Sequence, residues 1–275
     1  MGLRITTNMA SIAAQRSMAT QTKRQNHASQ ALASGTKFVN ASDDAAGLAI
    51  SEGMKAEIRG TAAARNNAFN AISAIQVGEG GLSEVSNLLI RLRELGVQSA
   101  SDTIGDKERS YLQQESTSIV DEIDRISKTT KFGDKNLLDG SAPTMEFHVG
   151  TSAGKENIIT FKANGSATIG ELGIDGANIS DKDGARDLLG KVDTALAQVS
   201  QMRAGFGAIQ SRMESTVNGL DVRSENLSAA RSRIADTDIA KESSELASAS
   251  VLQNASVSVL AQANQAPMVA MKLIG

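Results

Sequence analysis

Residues 191–235 read KVDTALAQVSQMRAGFGAIQSRMESTVNGLDVRSENLSAARSRIA. Apolar side chains occupy every seventh position of this stretch without a break, namely Val192, Val199, Phe206, Met213, Leu220, Leu227 and Ile234. A second set accompanies the first half, namely Leu188, Ala195, Met202 and Ile209. A sustained seven-residue repeat is typical of a helix that packs in a coiled coil. The stretch therefore predicts one long helix with an apolar seam.

The first half of the chain predicts the helix that would cover this seam. Ser42 followed by Asp43 and Asp44 indicates a helix start, because it combines a capping residue with acids at the positive end of the helix dipole. From Met54 to Leu95 apolar residues recur at steps of three, four or seven, which predicts one continuous stripe. Three glycines within it are expected to weaken the helix locally, namely Gly78, Gly80 and Gly81.

A third helix is predicted next, and the composition of the chain changes after it. After a turn near residues 102–105, one apolar face predicts a helix that folds back antiparallel; its members are Leu112, Ser116, Ile119, Ile123 and Ile126. From Phe132 to Ser180 Gly and Asp become frequent, and two β-prone runs occur at residues 145–149 and 157–161. The predicted fold is mainly α: a long antiparallel helical bundle or coiled coil formed by both chain ends, with a small β-hairpin region in the middle of the sequence.

Composition excludes several classes of function. The chain of 275 residues has no cysteine, 3% aromatic residues and a net charge of −3, which supplies neither a thiolate site nor a basic field for nucleic acid. The two histidines, His27 and His148, cannot form a metal centre alone. Residues 1–8 lack the cationic and apolar pattern of a cleavable secretory signal. We therefore expect no catalytic residue, no cofactor and no metal, and hence no enzyme.

The two chain ends are unusual in charge. No Asp or Glu precedes Asp43, and no charged side chain occurs between Leu246 and Met271. The latter stretch contains too many Ser, Asn and Gln residues for a membrane span, so membrane insertion is not expected. A helix without charge on any face is normally buried all round. One chain of this size offers few neighbours for it, which points to assembly with other copies.

Several motifs resemble those of the bacterial flagellins. The N-terminal match is Ala33-Ser34-Gly35 followed by DDAAGLAI at residues 43–50, with further likeness at residues 58–60, 91–100 and 121–126. The C-terminal match is AARSRIADTD at residues 229–238 and SVLAQANQ at residues 258–265. The matches lie in the same order as in the family. Only the middle of the sequence shows no such match. The sequence is thus similar to a minimal flagellin without large variable surface domains.

The resemblance implies a function and an organisation. Flagellins polymerise into the filament for swimming motility, are exported unfolded through a type III route and assemble at the filament tip, so the expected location is secreted and extracellular. Residues 1–39 with 236–275 would form an inner filament-core domain, and residues 40–235 an outer bundle that includes the 132–180 hairpin region. The inner helices would pack between subunits through Ile5, Met9, Ile12, Leu246, Leu252, Val259, Leu260 and Ala263.

The resemblance also implies partners. These are other copies of the chain, an export chaperone at the C-terminal helix, the filament cap and hook-junction proteins, and a vertebrate innate immune receptor that would contact Arg91, Leu95 and Glu115. A hook–filament junction protein, which shares the terminal architecture, remains the alternative. A cytoplasmic signalling coiled coil would have long heptads but would not explain an uncharged C-terminus.

Overall fold

The computed structural model describes residues 7–141, 144–162 and 165–274, with side chains described as far as residue 265. Six helices are present in these ranges, namely α1 Met9–Ser34, α2 Ala45–Ser99, α3 Asp106–Thr129, α4 Ile169–Leu172, α5 Lys182–Ala235 and α6 Ile239–Ile274. Four short strands lie between α3 and α4, namely β1 Lys131–Phe132, β2 Lys135–Asn136, β3 Met145–His148 and β4 Ile158–Phe161. The predicted mainly α fold with a small β region is confirmed.

The chain divides into two compact units, each built from both halves of the sequence. The terminal unit comprises residues 1–58 and 226–275, and the central unit comprises residues 59–225. The long helices α2 and α5 contribute residues to both units. The terminal unit is otherwise built from α1 and α6, and the central unit from α3, α4 and the four strands.

In the central unit, α2 and α5 run antiparallel and are linked along their length by ion pairs. Arg65 Nη1 lies 2.9 Å from Asp221 Oδ1, Arg203 Nη2 lies 2.7 Å from Glu79 Oε1, and Arg93 Nε lies 2.7 Å from Asp193 Oδ1. Because the order of charge alternates along α2, basic then acidic then basic, a shifted pairing would bring like charges together. These pairs therefore favour one register.

The predicted apolar stripes form the core of the central unit. Leu82, Leu89, Leu92 and Leu95 of α2 are fully buried, as are Val192, Val199 and Met213 of α5. The ring of Phe206 meets that of Phe161 from β4 edge to face, with centroids 4.8 Å apart. The heptad seam loses burial towards its end, since Leu227 and Ile234 are only half-buried and lie in the terminal unit.

The segment that leads into α5 is held by side chains of α2 and α3. The amide of Gln113 donates to the carbonyl of Ala177 at 2.9 Å and accepts from the backbone N–H of Ile179 at 2.6 Å. Ser99 Oγ donates to the carbonyl of Ile179. The buried guanidinium of Arg109 donates to the carbonyls of Ser99 and Ser101 and pairs with Asp106, which closes the α2–α3 turn.

The hairpin prediction is confirmed, with a small addition. β3 and β4 pair antiparallel in the register Met145 with Phe161 to His148 with Ile158, close to the predicted runs. β1 and β2 form a second antiparallel pair around Gly133 and Asp134, where the positive φ of 59° at Gly133 suits a residue without a side chain. This second pair is too short to produce an alternating sequence pattern.

The predicted cap of α2 is displaced by two residues. The helix begins at Ala45, and Asp44 caps it, since Asp44 Oδ1 accepts from the backbone N–H of Gly47 at 2.9 Å. Ser42 lies in the preceding turn. Ser42 was therefore the wrong capping residue, although the acids lie at the helix start as expected. Asp is as good a cap as Ser, so composition alone could not choose between them.

The glycines of α2 do not interrupt the helix. α2 is continuous through Gly78, Gly80 and Gly81. A Cβ at Gly78 would lie 2.4 Å from Cε1 of Phe206, and one at Gly81 would lie 2.8 Å from Cδ1 of Leu138. Two of the three glycines therefore allow close packing of neighbouring side chains, which sequence alone does not reveal.

Candidate assembly surface

The terminal unit is built on an antiparallel pair of helices, α1 and α6. Asn8 caps α1 by accepting from the backbone N–H of Ser11 at 3.0 Å, and its amide also donates to the carbonyl of Ala263 at 2.8 Å. Ser11 Oγ donates to Asn264 Oδ1 at 2.8 Å, and Gln253 Nε2 reaches Thr22 Oγ1 at 3.3 Å. Asn8, the capping residue of α1, thus also fixes the position of α1 against α6.

A short backbone bridge closes the base of this pair. Gly35 ends α1 in the left-handed conformation with φ 68°, so the chain can turn there without the strain that a side chain would cause. The backbone N–H of Lys37 donates to the carbonyl of Ala235 at 2.7 Å, and that of Thr237 donates to the carbonyl of Gly35 at 3.0 Å. The α1–α2 loop and the α5–α6 loop are thereby joined as an isolated β-bridge.

Asp43 holds the same loop. Its Oδ2 accepts from the backbone N–H groups of Asn40 at 2.8 Å and Val39 at 3.1 Å, and lies 3.2 Å from His27 Nε2 of α1. The hydrogen bond from Asn40, followed by the contact with His27, lowers the pKa of the Asp43 carboxyl below its usual value. The ionised carboxylate therefore ties the loop to α1.

The residues buried between α1 and α6 are small. Apart from Ser11, they are alanines, namely Ala14, Ala28 and Ala31 of α1 and Ala249 and Ala263 of α6. Small side chains allow two helix backbones to approach closely, but they bury little apolar area. This is the reverse of an ordinary bundle, in which the large aliphatic side chains face inward.

The large apolar side chains of the pair face outward. Met9 is 66% exposed, Val251 67% and Val259 54%, and Ile12, Leu252, Val257 and Ile239 are also exposed. Monomeric soluble proteins seldom leave so many large apolar side chains uncovered on one element, and such patches mark interaction sites. We refer to these seven side chains as the outer apolar set.

The predicted packing residues fall into three groups. Met9, Ile12, Leu252 and Val259 belong to the outer apolar set, and Leu246 and Leu260 are half-buried. Ala263 is buried within the chain's own helix pair. Ile5 lies outside the described residues. Sequence reasoning missed Val251, Val257 and Ile239, although their place in an uncharged or nearly uncharged helix was a signal that could have found them.

Two grooves run between α1 and α6. One, of about 640 Å³, is lined by polar side chains of both helices with Leu246 and Ala247; the polar residues are Thr22, Gln25, Asn26, Ser29, Ser243, Ser250 and Gln253. The other, of about 430 Å³, is lined mainly by charged side chains of both helices. Hydroxyl and amide groups in the first groove offer both donors and acceptors to a neighbouring helix.

The residues predicted for receptor contact lie in the central unit. Arg91 Nη2 and Glu115 Oε1 are 2.7 Å apart and join α2 to α3, and Arg91 also pairs with Glu94 at 2.9 Å. The contact with Glu115 raises the pKa of the Arg91 guanidinium. Leu95 is fully buried in the core. The exposed neighbours of Arg91 and Glu94 are Ile90 and Val97, so a partner on this face would touch the ion pair and these side chains, and not Leu95.

Two other features are absent from residues 7–141, 144–162 and 165–274. No helix there is long and apolar enough to cross a membrane. No group of three or more His, Asp or Glu side chains in the same ranges could hold a metal ion.

Comparison with known proteins gives the family. A model of the bacterial flagellin N-terminal helical region matches residues 5–143, and one of the C-terminal helical region matches residues 189–274. The chain is 40% identical to a flagellin of Halalkalibacterium halodurans over 269 residues, covering 97% of this chain and 98% of that protein. It is 37% identical to a flagellin of Bacillus subtilis over 307 residues, covering 99% of this chain and all of that protein.

Two further relatives agree with this. A Treponema phagedenis protein named flagellar filament 33 kDa core protein is 37% identical over 282 residues, covering 97% of this chain and 98% of that protein. The crystal structure of Bacillus cereus flagellin is 26% identical and superposes with a TM-score of 0.50, covering 60% of this chain and 94% of that one. Both terminal regions and nearly the whole length match in order, and the chain belongs to the bacterial flagellin family.

Proposed function

We propose that this chain is a structural subunit that polymerises into the bacterial flagellar filament, and that it acts by assembly and not by catalysis. The observation that carries the proposal is the inverted packing of α1 and α6. Alanine and serine are buried between these helices while the outer apolar set faces solvent. Burial of these exposed side chains by further helices would stabilise such an arrangement.

The domain assignment follows from the same observation. Residues 1–39 with 236–275 act as the inner filament-core domain, and residues 40–235 as the outer bundle. The core domain supplies α1, which has no acidic residue, and α6, which is uncharged over residues 246–271, for contact between copies, and the ion-paired outer bundle supplies a rigid body. Identical contacts that do not close into a ring produce a helical polymer.

The route to that polymer is part of the proposal. The subunit is exported unfolded and folds at the filament tip outside the cell. The absence of cysteine fits this route, since the chain can unfold and refold in any redox compartment. No observation favours the hook–filament junction protein over the filament subunit.

Further partners are proposed on the same basis. The uncharged C-terminal helix is the surface for an export chaperone, because its apolar side chains need cover before assembly. The filament cap and hook-junction proteins bind the same terminal helices as a neighbouring subunit does. The Arg91–Glu115 face is the surface for a vertebrate innate immune receptor, through the ion pair and not through the buried Leu95.

Electron microscopy of purified monomer, before and after seeding with short filament fragments, tests the function. The intact chain should form thin uniform tubes, and a chain lacking residues 246–275 should form none. A Leu252→Asp/Val259→Asp variant should also fail, because a carboxylate would be desolvated at each contact. The matched control, Leu252→Met/Val259→Ile, keeps apolar side chains and should polymerise. Tubes from the aspartate variant would contradict the assignment of the surface.

A further inference from the structure

The second groove between α1 and α6 holds charged side chains that are not paired. It is lined by Lys23, Arg24, His27 and Ala28 of α1 and by Lys241, Glu242 and Glu245 of α6. Among the described residues, no salt bridge involves Lys23, Arg24, Glu242 or Glu245. Opposite charges thus line the two walls of one groove without meeting.

Several opposite charges elsewhere on the chain do meet. Exposed Arg and Asp side chains of α2 and α5 meet at 2.7 to 2.9 Å, as Arg93 does with Asp193 and Arg65 with Asp221. The groove lies between the two helices that also carry the outer apolar set. The unpaired charges of the groove and these exposed apolar side chains are thus uncovered on the same pair of helices.

The distribution of charge limits what can complete it. α1 carries cations and no acid over residues 9–34, so two α1 helices from different copies would repel each other. The acids of α6 lie only at its start, as Glu242 and Glu245, since no charge occurs over residues 246–271. Of the contacts between these helices, α1 against the start of a neighbouring α6 brings opposite charges together.

We propose that Lys23 and Arg24 of one copy pair with Glu242 and Glu245 of a second copy when the subunits assemble. The inference rests on the proposed self-assembly and names its electrostatic contact. As the outer apolar set is covered, the groove loses water, and a charge left unpaired there would oppose assembly. Pairing across copies removes that penalty and orients the incoming subunit, since complementary charges steer association.

Two charge-reversed variants test the proposal when each is polymerised alone and when they are mixed in equal amounts. In Lys23→Glu/Arg24→Glu each wall of the groove carries two glutamates, and in Glu242→Lys/Glu245→Lys each wall carries at least two cations, while Lys241 is unchanged in both variants. Each alone should elongate seeds about tenfold or more slowly than the natural chain, because like charges meet at every contact. The mixture should recover, since α1 of one variant then meets the oppositely charged α6 of the other.

The controls separate this contact from two alternatives. A chain that carries all four substitutions should assemble alone, and unchanged helical circular dichroism should show that every variant folds. If that chain recovers while the mixture stays slow, the pairing is within one copy and the proposal is overturned. It is equally overturned if each single-wall variant elongates at the natural rate, while tubes from the natural chain in the same experiment would leave the filament function standing. If the natural chain itself forms no tubes, the filament function and this inference both fail.

Discussion

Gly78 lies directly under the ring of Phe206, so close that a Cβ on Gly78 would be 2.4 Å from Cε1 of that ring. This position joins α2 to α5 at the middle of the central unit, where Phe206 also packs on Phe161 of β4. The backbone of α2 therefore forms part of the core surface at this point, and the glycine is required by its neighbour and not by a bend.

Gly78→Ala should destabilise the central unit by about 1–3 kcal/mol, because the methyl group overpacks a dense core. Urea denaturation followed by circular dichroism measures the loss. Gly80→Ala is the matched control, since a Cβ there meets no atom within 4 Å. The control should stabilise the helix by about 0.5–1 kcal/mol, as alanine is the better helix former. Equal effects of the two substitutions would contradict the packing role.

Ser116→Ala should stabilise the central unit by about 1 kcal/mol. Ser116 is fully buried in α3, and its hydroxyl has no hydrogen-bond partner within the part of the chain that the structure describes. Removing an unsatisfied buried hydroxyl recovers its desolvation cost. The matched control is Ser127→Ala in the same helix, where the equally buried hydroxyl donates to the carbonyl of Asp124 at 2.8 Å. Thermal unfolding should show opposite shifts in Tm for the two variants.

Gln113→Ala should cost about 1–3 kcal/mol and loosen the segment before α5, because it removes the amide that bonds to both Ala177 and Ile179. Hydrogen exchange gives the sharper measurement, since the backbone N–H of Ile179 loses the Gln113 Oε1 that accepts its hydrogen bond at 2.6 Å. Gln114→Ala, one residue along on the exposed face, should change stability by less than about 0.5 kcal/mol. Unchanged protection at Ile179 would refute the role of Gln113.

The loop held by Asp43 should loosen in acid. Hydrogen bonds from the Asn40 backbone and from His27 lower the carboxyl pKa in the folded chain, so folding favours the ionised form. That stabilisation is complete above the ordinary pKa of 3.8 and is lost as the pH falls through the lower, folded value. Carbon-13 NMR titration should give a midpoint for Asp43 below 3.8. Asp43→Asn should lower Tm near neutral pH and make little difference at about pH 2.

Prediction from sequence was accurate for the elements that a local pattern determines, with the exception of one helix cap. The seven-residue repeat of α5 and the stripe of α2 report a periodicity that the backbone imposes, and the runs at β3 and β4 report β-prone composition; all were confirmed. The flagellin motifs were likewise read correctly, because they are contiguous. The cap of α2 was misplaced because Ser42 and Asp44 are equally good caps in isolation.

The sequence by itself determined that this chain is a mainly helical flagellin with no acid before Asp43 and no charge over residues 246–271, because helix periodicity, charge content and contiguous motifs are properties of the chain alone. Only the tertiary structure decided that the missing side chain of Gly78 makes room for Phe206, and that α1 and α6 meet through alanines while Met9, Val251 and Val259 remain exposed. Those facts depend on which residues distant in sequence come into contact. A helix with apolar residues on several faces does not reveal from its own pattern which face its partner will cover.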